Sequence, residues 1–243
     1  MSGLTTLAGI VVLTGARNIN TTKGNRDLYL NANIYVDNNY KDNPSTGLVH
    51  FFNHADIPFN IEPLYVMAAM HIAETPPSLP PQVLPEKFTL CDYAFIGEVN
   101  HLALLPAFPE TDPCQRSYIT ASGIVSTADT NDRQFTIKCD QYLSLIKRVV
   151  PCTLSCTIPS TPRWEKTHIP QPNTPLTVSG TFDRINRNND QVTTSFSITI
   201  DSLAFSPRGS IIQTTTAGPS SGSTKTGFSY AEMKKKRKHT DKE

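Results

Sequence analysis

Apolar residues recur at every second position in segment after segment of this chain, and no helical period of 3.6 is sustained long enough to compete. In TLAGIVVLTG, Leu7, Gly9, Val11 and Leu13 share one face. In DLYLNANIYVD, Leu28, Leu30, Ala32, Ile34 and Val36 share one face, and Tyr29, Asn31, Asn33 and Tyr35 take the other. Strands of this kind bury one side and wet the other, so the chain is expected to be all-β. LVHFFNHAD (48–56), LYVMAAMHIAE (64–74) and AFIGEVNHLALL (94–105) continue the pattern. The middle one, with Met67 and Met70, is also compatible with a short helix.

The second half is more regular. ITASGIVST (119–127), RQFTIKC (133–139), VPCTLSCTI (150–158), LTVSGTF (176–182) and VTTSFSITI (192–200) each alternate. DRINRNNDQ, between the last two, is a polar hairpin loop. DQYLSLIKR (140–148) is the best helix candidate, with Asp140 as its cap. Five strands and one short helix are the parts of a small closed barrel. LAGIVV, ASGIVST and VSGTF also echo one plan, a small residue, a glycine and further strand residues, which suggests two barrels built from similar hairpins.

Five prolines within 76–85 forbid a ladder and favour an extended linker or strap. The expected organisation is an N-terminal β domain at 1–75, a proline-rich linker or strap at 76–88, an OB-like barrel domain at 89–208 and a disordered tail at 209–243. The tail is rich in Ser, Thr and Gly, without the apolar periodicity that folding requires.

The order ASGIVST, RQFTIKC, VPCTLSC, LTVSG, SFSITIDSLAF resembles the oligonucleotide-binding (OB) fold, in the style of replication protein A subunits. The chain is also similar to a group of fungal proteins with a TIP-x-TPRW stretch, residues 157–164 here. The resemblance covers about 90 residues of the second half, and the Trp164 loop stands where the fold's usual helix joins the third and fourth strands. It implies a five-stranded barrel that binds single-stranded nucleic acid. The first half is expected to form a second, smaller β-barrel or β-sheet unit.

Charge is unevenly spread: residues 1–110 hold 5 Lys/Arg against 10 Asp/Glu, whereas 133–208 hold 9 against 5. The basic end therefore suggests a partner of its own. Five cysteines between Cys91 and Cys156, with no basic leader ahead of them, point to a reducing compartment. No stretch approaches the roughly 20 apolar residues of a membrane helix, so the protein is expected to be soluble, intracellular and without a membrane partner.

KKKRK, formed by Lys234, Lys235, Lys236, Arg237 and Lys238, reads as a nuclear-import motif and implies an import receptor as partner. The other constellation surrounds the single tryptophan, Trp164, with Arg163 before it and Lys166 after it. Trp164 either closes a barrel end or presents its ring to a base, and the sequence favours a ring buried at its edge and available at its face. Arg163, Lys166, Lys138, Arg184 and Arg187 are the candidate phosphate contacts beside it. Tyr29 and Tyr35 form a second candidate stacking or docking face.

His50, His54 and Asp56, and Cys152 with Cys156, lack a usual zinc spacing, and neither a phosphate loop nor a nucleophile elbow is present. No cofactor, metal or catalytic residue is expected. The expected function is non-catalytic binding of single-stranded nucleic acid in the nucleus. The alternatives are a nuclear protein-interaction scaffold, with a protein partner or a second copy of itself, and a coat or mobile-element accessory protein.

Overall fold

The computed structural model describes residues 3–18, 26–36, 44–59 and 63–206. The expected tail and its KKKRK segment lie outside these. The described residues form ten strands: β1 (Leu4–Arg17), β2 (Asp27–Ile34), β3 (Ser45–Phe52), β4 (Leu64–Ala73), β5 (Phe95–Leu104), β6 (Tyr118–Asp129), β7 (Gln134–Leu143), β8 (Arg148–Thr157), β9 (Pro175–Arg187) and β10 (Thr193–Phe205).

In the second half, β6 pairs with β7, β7 with β8, β8 with β10, β10 with β9, and β9 with β6 again. The ring closes in the order first, second, third, fifth, fourth. The third–fifth pair, β8–β10, is parallel and the others are antiparallel. This is the expected OB-like barrel. The first half repeats the scheme. β1–β2, β2–β3, β3–β5, β5–β4 and β4–β1 run round a second ring, and β3–β5 is again parallel. The strand at 95–104 follows the proline-rich segment, yet it completes this first ring.

The two rings join through their first strands. β1 and β6 pair antiparallel from Leu4↔Ser122 to Ala8↔Tyr118, centred on Thr6↔Thr120. Beyond that contact each strand turns to its own hairpin, β1 to β2 from Val12 and β6 to β7 from Ile124. Gly9 and Gly123 stand at the two departures. A Cβ on Gly9 would lie 3.0 Å from the Ser117 Cα, and one on Gly123 would meet the Lys138 carbonyl. Thr6-Leu-Ala-Gly9-Ile-Val and Thr120-Ala-Ser-Gly123-Ile-Val are thus the same structural element twice. Their pairing is two-fold symmetric about Thr6↔Thr120: where two residues pair, their counterparts in the other ring pair as well, as Leu7↔Ile119 and Thr5↔Ala121 do.

Alternation fills each ring. Phe135, Ile137 and Cys139 on β7, Cys152, Leu154 and Cys156 on β8, and Phe196, Ile198 and Ile200 on β10 are buried. Burial lifts the Cys139 thiol to about 11, and Cys152 and Cys156 well above the usual range. These are core residues rather than nucleophiles.

The helix expected at 140–148 is corrected, and of the two readings of 64–74 the strand holds. Residues 64–73 are strand β4, and Asp140 to Leu143 continue β7 into a turn at 144–147. The alternation of Cys139, Gln141 and Leu143 inward continues past Asp140. Gln141 tolerates its inward place because its amide oxygen accepts the Thr5 backbone N–H at 2.9 Å.

Candidate nucleic-acid interface

The outer sides of the second and third strands have opposite fates in the two rings. On β2 and β3, Asn31, Leu48 and His50 point outward by alternation and are nonetheless buried. Two segments cover them. The proline-rich strap is tied over Asn31, whose Oδ1 accepts the Tyr93 hydroxyl at 2.9 Å and Arg17 at 3.3 Å. Arg17 also donates to the Val83 carbonyl at 3.0 Å, and Phe88 stacks on Tyr93 at 5.6 Å.

The β7–β8 turn covers the other side. The Ser144 hydroxyl donates to Glu98 Oε1 at 2.6 Å and lies 3.2 Å from His50 Nδ1, while His50 Nε2 is 3.0 Å from Asp27. The His50 imidazole 3.6 Å away, with the Ser144 hydrogen bond helping, draws the Glu98 carboxyl down to about 2 against the opposing effect of burial. Burial disfavours charge on His50, but the carboxylates of Glu98 and Asp27 beside it outweigh that and raise its pKa.

The equivalent side of the second ring is left uncovered by the described residues. Gln134, Lys138, Asp140 and Tyr142 on β7 are exposed, and Thr136 with Thr153, Ser155 and Thr157 on β8 is half-exposed. Tyr142 is 57% exposed and pairs with Val149 at the far end of the hairpin. From Gln134 to Tyr142 this row spans roughly 26 Å at about 3.3 Å per residue. It combines a cation, hydroxyls, an amide and one aromatic face with one carboxylate, Asp140, and Lys138 lies near enough to Glu74 to favour its charged form.

Near Gln134 the face deepens into a cleft of about 350 Å³ lined by Arg116, Gln134, Ser155, Thr157, Asp183, Arg184 and Ser197. Asp183 accepts the Thr199 hydroxyl at 2.6 Å and lies 3.5 Å from Arg116.

Trp164 falls elsewhere. It ends a 3-10 turn, Pro162–Trp164, and is only 8% exposed. Its carbonyl accepts Arg133 Nη2 at 2.7 Å, and the Arg163 guanidinium lies over its ring at 5.3 Å from the centroid. The turn occupies the connection between the third and fourth strands, so the indole acts as a plug, and the expected free face is lost. Pro162 fixes the entry to the turn, and Arg163 covers what the core leaves.

The sequence-predicted cations do not converge on one groove. Arg163 covers Trp164, and Lys166 is exposed two residues on. Lys138 stands on the open β7 row, and Arg184 lines the cleft. Arg187 is committed to the Cys91 carbonyl at 3.2 Å. Tyr29 packs against His50 with ring centroids 5.4 Å apart, and Tyr35 is half-buried just after β2. Arg116, Gln134 and Tyr142 were not anticipated. Tyr142 was hidden by the helix reading, although strict alternation from Gln134 marks it as outward.

No protein-family profile and no curated protein matches the chain. Among solved structures, the wild-type single-stranded DNA binding protein from Thermus aquaticus is similar at 12% identity. That match covers 92% of this chain and 98% of the other, with a TM-score of 0.43. A deletion mutant of the same protein matches at 11% identity over 85% and 96% of the two chains, with a TM-score of 0.44.

Proposed function

We propose that the protein binds single-stranded nucleic acid, without catalysis, on the open outer face of the second barrel. The observation that carries this reading is the contrast between the two rings. In OB folds the outer face of the second and third strands is the side that meets oligonucleotides. Here it is sealed in one ring and exposed in the other, where it carries Lys138, Tyr142, Gln134 and a row of hydroxyls. Tyr142 supplies the stacking face, worth about 1–3 kcal/mol per base. The protein-docking alternative would use Tyr29 and Tyr35, both half-buried, with Tyr29 packed on His50.

The binding takes place in the nucleus, with Lys234 to Lys238 as the segment read by an import receptor. Replacing that run by alanine in a fusion too large to diffuse should abolish nuclear accumulation, and unchanged accumulation would overturn the assignment. Binding itself is read by fluorescence anisotropy of a labelled single-stranded oligonucleotide at about 50 mM salt. Saturable binding that weakens with salt is expected. Its absence, or equal binding to duplex, would overturn the reading.

A further inference from the structure

A local irregularity in β9 sets the chemistry of the cleft. β9 and β10 pair Phe182↔Ile198 and then Arg184↔Ser197, so two residues of β9 oppose one step of β10. Phe182 and Ile185 are the flanking inward positions. The extra residue therefore turns both Asp183 and Arg184 to the outer side, where both line the cleft. Bulges re-aim side chains in this way. Asp183 is engaged by Thr199 and lies beside Arg116. Arg184 has neither an ion pair nor a hydrogen bond among the described residues, and it is exposed.

The corresponding place in the first ring sharpens the point. There the parallel third–fifth pair presents His50 and Glu98 outward, and these hold the Ser144 hydroxyl of the neighbouring hairpin. In the second ring the parallel pair presents Ser155 with Ser197 and Thr157 with Thr199. These line or border the cleft, and no described segment covers it.

We propose that this cleft is a backbone-phosphate site, with the Arg184 guanidinium as its cation. The hydroxyls of Ser155, Thr157 and Ser197 and the Gln134 amide donate to the phosphate oxygens, and Arg116, held by Asp183, forms the wall. The site anchors one end of the strand and Tyr142 stacks a base toward the other, so the ligand runs along β7. A guanidinium matches phosphate in geometry as well as charge. The cleft assignment rests on the single-strand reading and adds to it a polarity of residue roles.

The test is the salt dependence of oligonucleotide affinity, measured on the full chain and three variants. Each phosphate neutralised on a single strand contributes about 0.7 to the slope of log K against log salt. Arg184→Gln should reduce that slope by about 0.7 and weaken binding at low salt about equally for all sequences. Tyr142→Ala should weaken binding but leave the slope unchanged. Lys87→Gln, an exposed lysine of the strap, makes the same change in net charge and should leave both unchanged. Arg184 is exposed, so its variant should melt with the parent, which separates lost contact from lost fold. If the parent chain binds and Arg184→Gln keeps the full slope, the cleft assignment is overturned while the single-strand reading stands. If the parent does not bind at all, both fall.

Discussion

The two barrels share strand order, a parallel third–fifth pair and a glycine at the same step of the first strand, yet they present opposite surfaces. In the first, the outward side of the second and third strands carries Asn31, Leu48 and His50, and it is roofed by the strap and by the hairpin of its neighbour. In the second, the same side carries Lys138, Tyr142, Gln134 and hydroxyls, and it is open. A repeated topology therefore does not imply a repeated site. In one ring the outer side of the second and third strands is closed into an internal interface with the neighbouring hairpin, and in the other the described residues leave it uncovered.

The largest effect should come from the plug that distinguishes the second barrel. Trp164→Ala removes a buried indole and should cost about 3–5 kcal/mol of stability in denaturant unfolding. Phe59, beside Phe51 in the corresponding connection of the first barrel, is only half-buried, and Phe59→Ala should cost clearly less. Equal losses would mean that the two barrel ends are closed alike. Because Trp164 is covered, oligonucleotide should leave its fluorescence nearly unchanged, and strong quenching would return it to the interface.

Next in size is Tyr142→Ala. It should weaken oligonucleotide binding by about 1–3 kcal/mol while leaving the melting temperature in place. Loss of fold with no separate loss of affinity would make Tyr142 a packing residue and remove the chief contrast with the first barrel.

A smaller effect is expected at the roof of the first barrel. Tyr93→Phe deletes the hydroxyl that reaches Asn31 and should cost about 1 kcal/mol. Amide exchange should accelerate in the strap and in β2 rather than in β7. Unchanged exchange in β2 would mean that the strap is held by its apolar contacts alone.

The smallest effect is that of pH on the latch between barrels. His50 has a folded pKa above its unfolded one, so its contribution to stability is complete below the unfolded value of about 6.5. That contribution is lost as pH rises through the folded value. Glu98, held down near 2, contributes above its ordinary carboxylate range and loses this only in strong acid. Stability should therefore decline as pH rises through the folded His50 pKa. His50→Asn should flatten that part of the profile, and an identical slope in the variant would assign the decline to other groups.

Much of this architecture is legible in the alternation. The five strands of the second half fall within a few residues of where the pattern puts them, and the repeated small-residue–glycine step at Gly9 and Gly123 marks the first strand of each ring. What alternation cannot carry is partnership. β1 serves β2, β4 and β6 at once, and only register reveals that.

Gln141 looked like a helix residue because a polar group at an inward strand position needs a partner, and its partner, Thr5, lies 136 residues away. Arg184 was expected in the polar loop DRINRNNDQ, but β9 runs on to Arg187 and contains it, and its direction depends on a bulge, a property of two strands rather than one. Of the two readings of Trp164, burial fits the one that closes a barrel end; the flanking charge left a free face open as well, whereas the cation over its ring is part of its cover.

The proposed function places the ligand on the second barrel and leaves the first without one. The direct measurement is a titration of isotopically labelled protein with single-stranded oligonucleotide, followed through backbone amide shifts. Perturbations should concentrate on residues 134–142, 153–157 and 183–184, and the amides of β2 and β3 should stay still. Shifts centred on β2, β3 and the strap, with β7 and β8 silent, would contradict it.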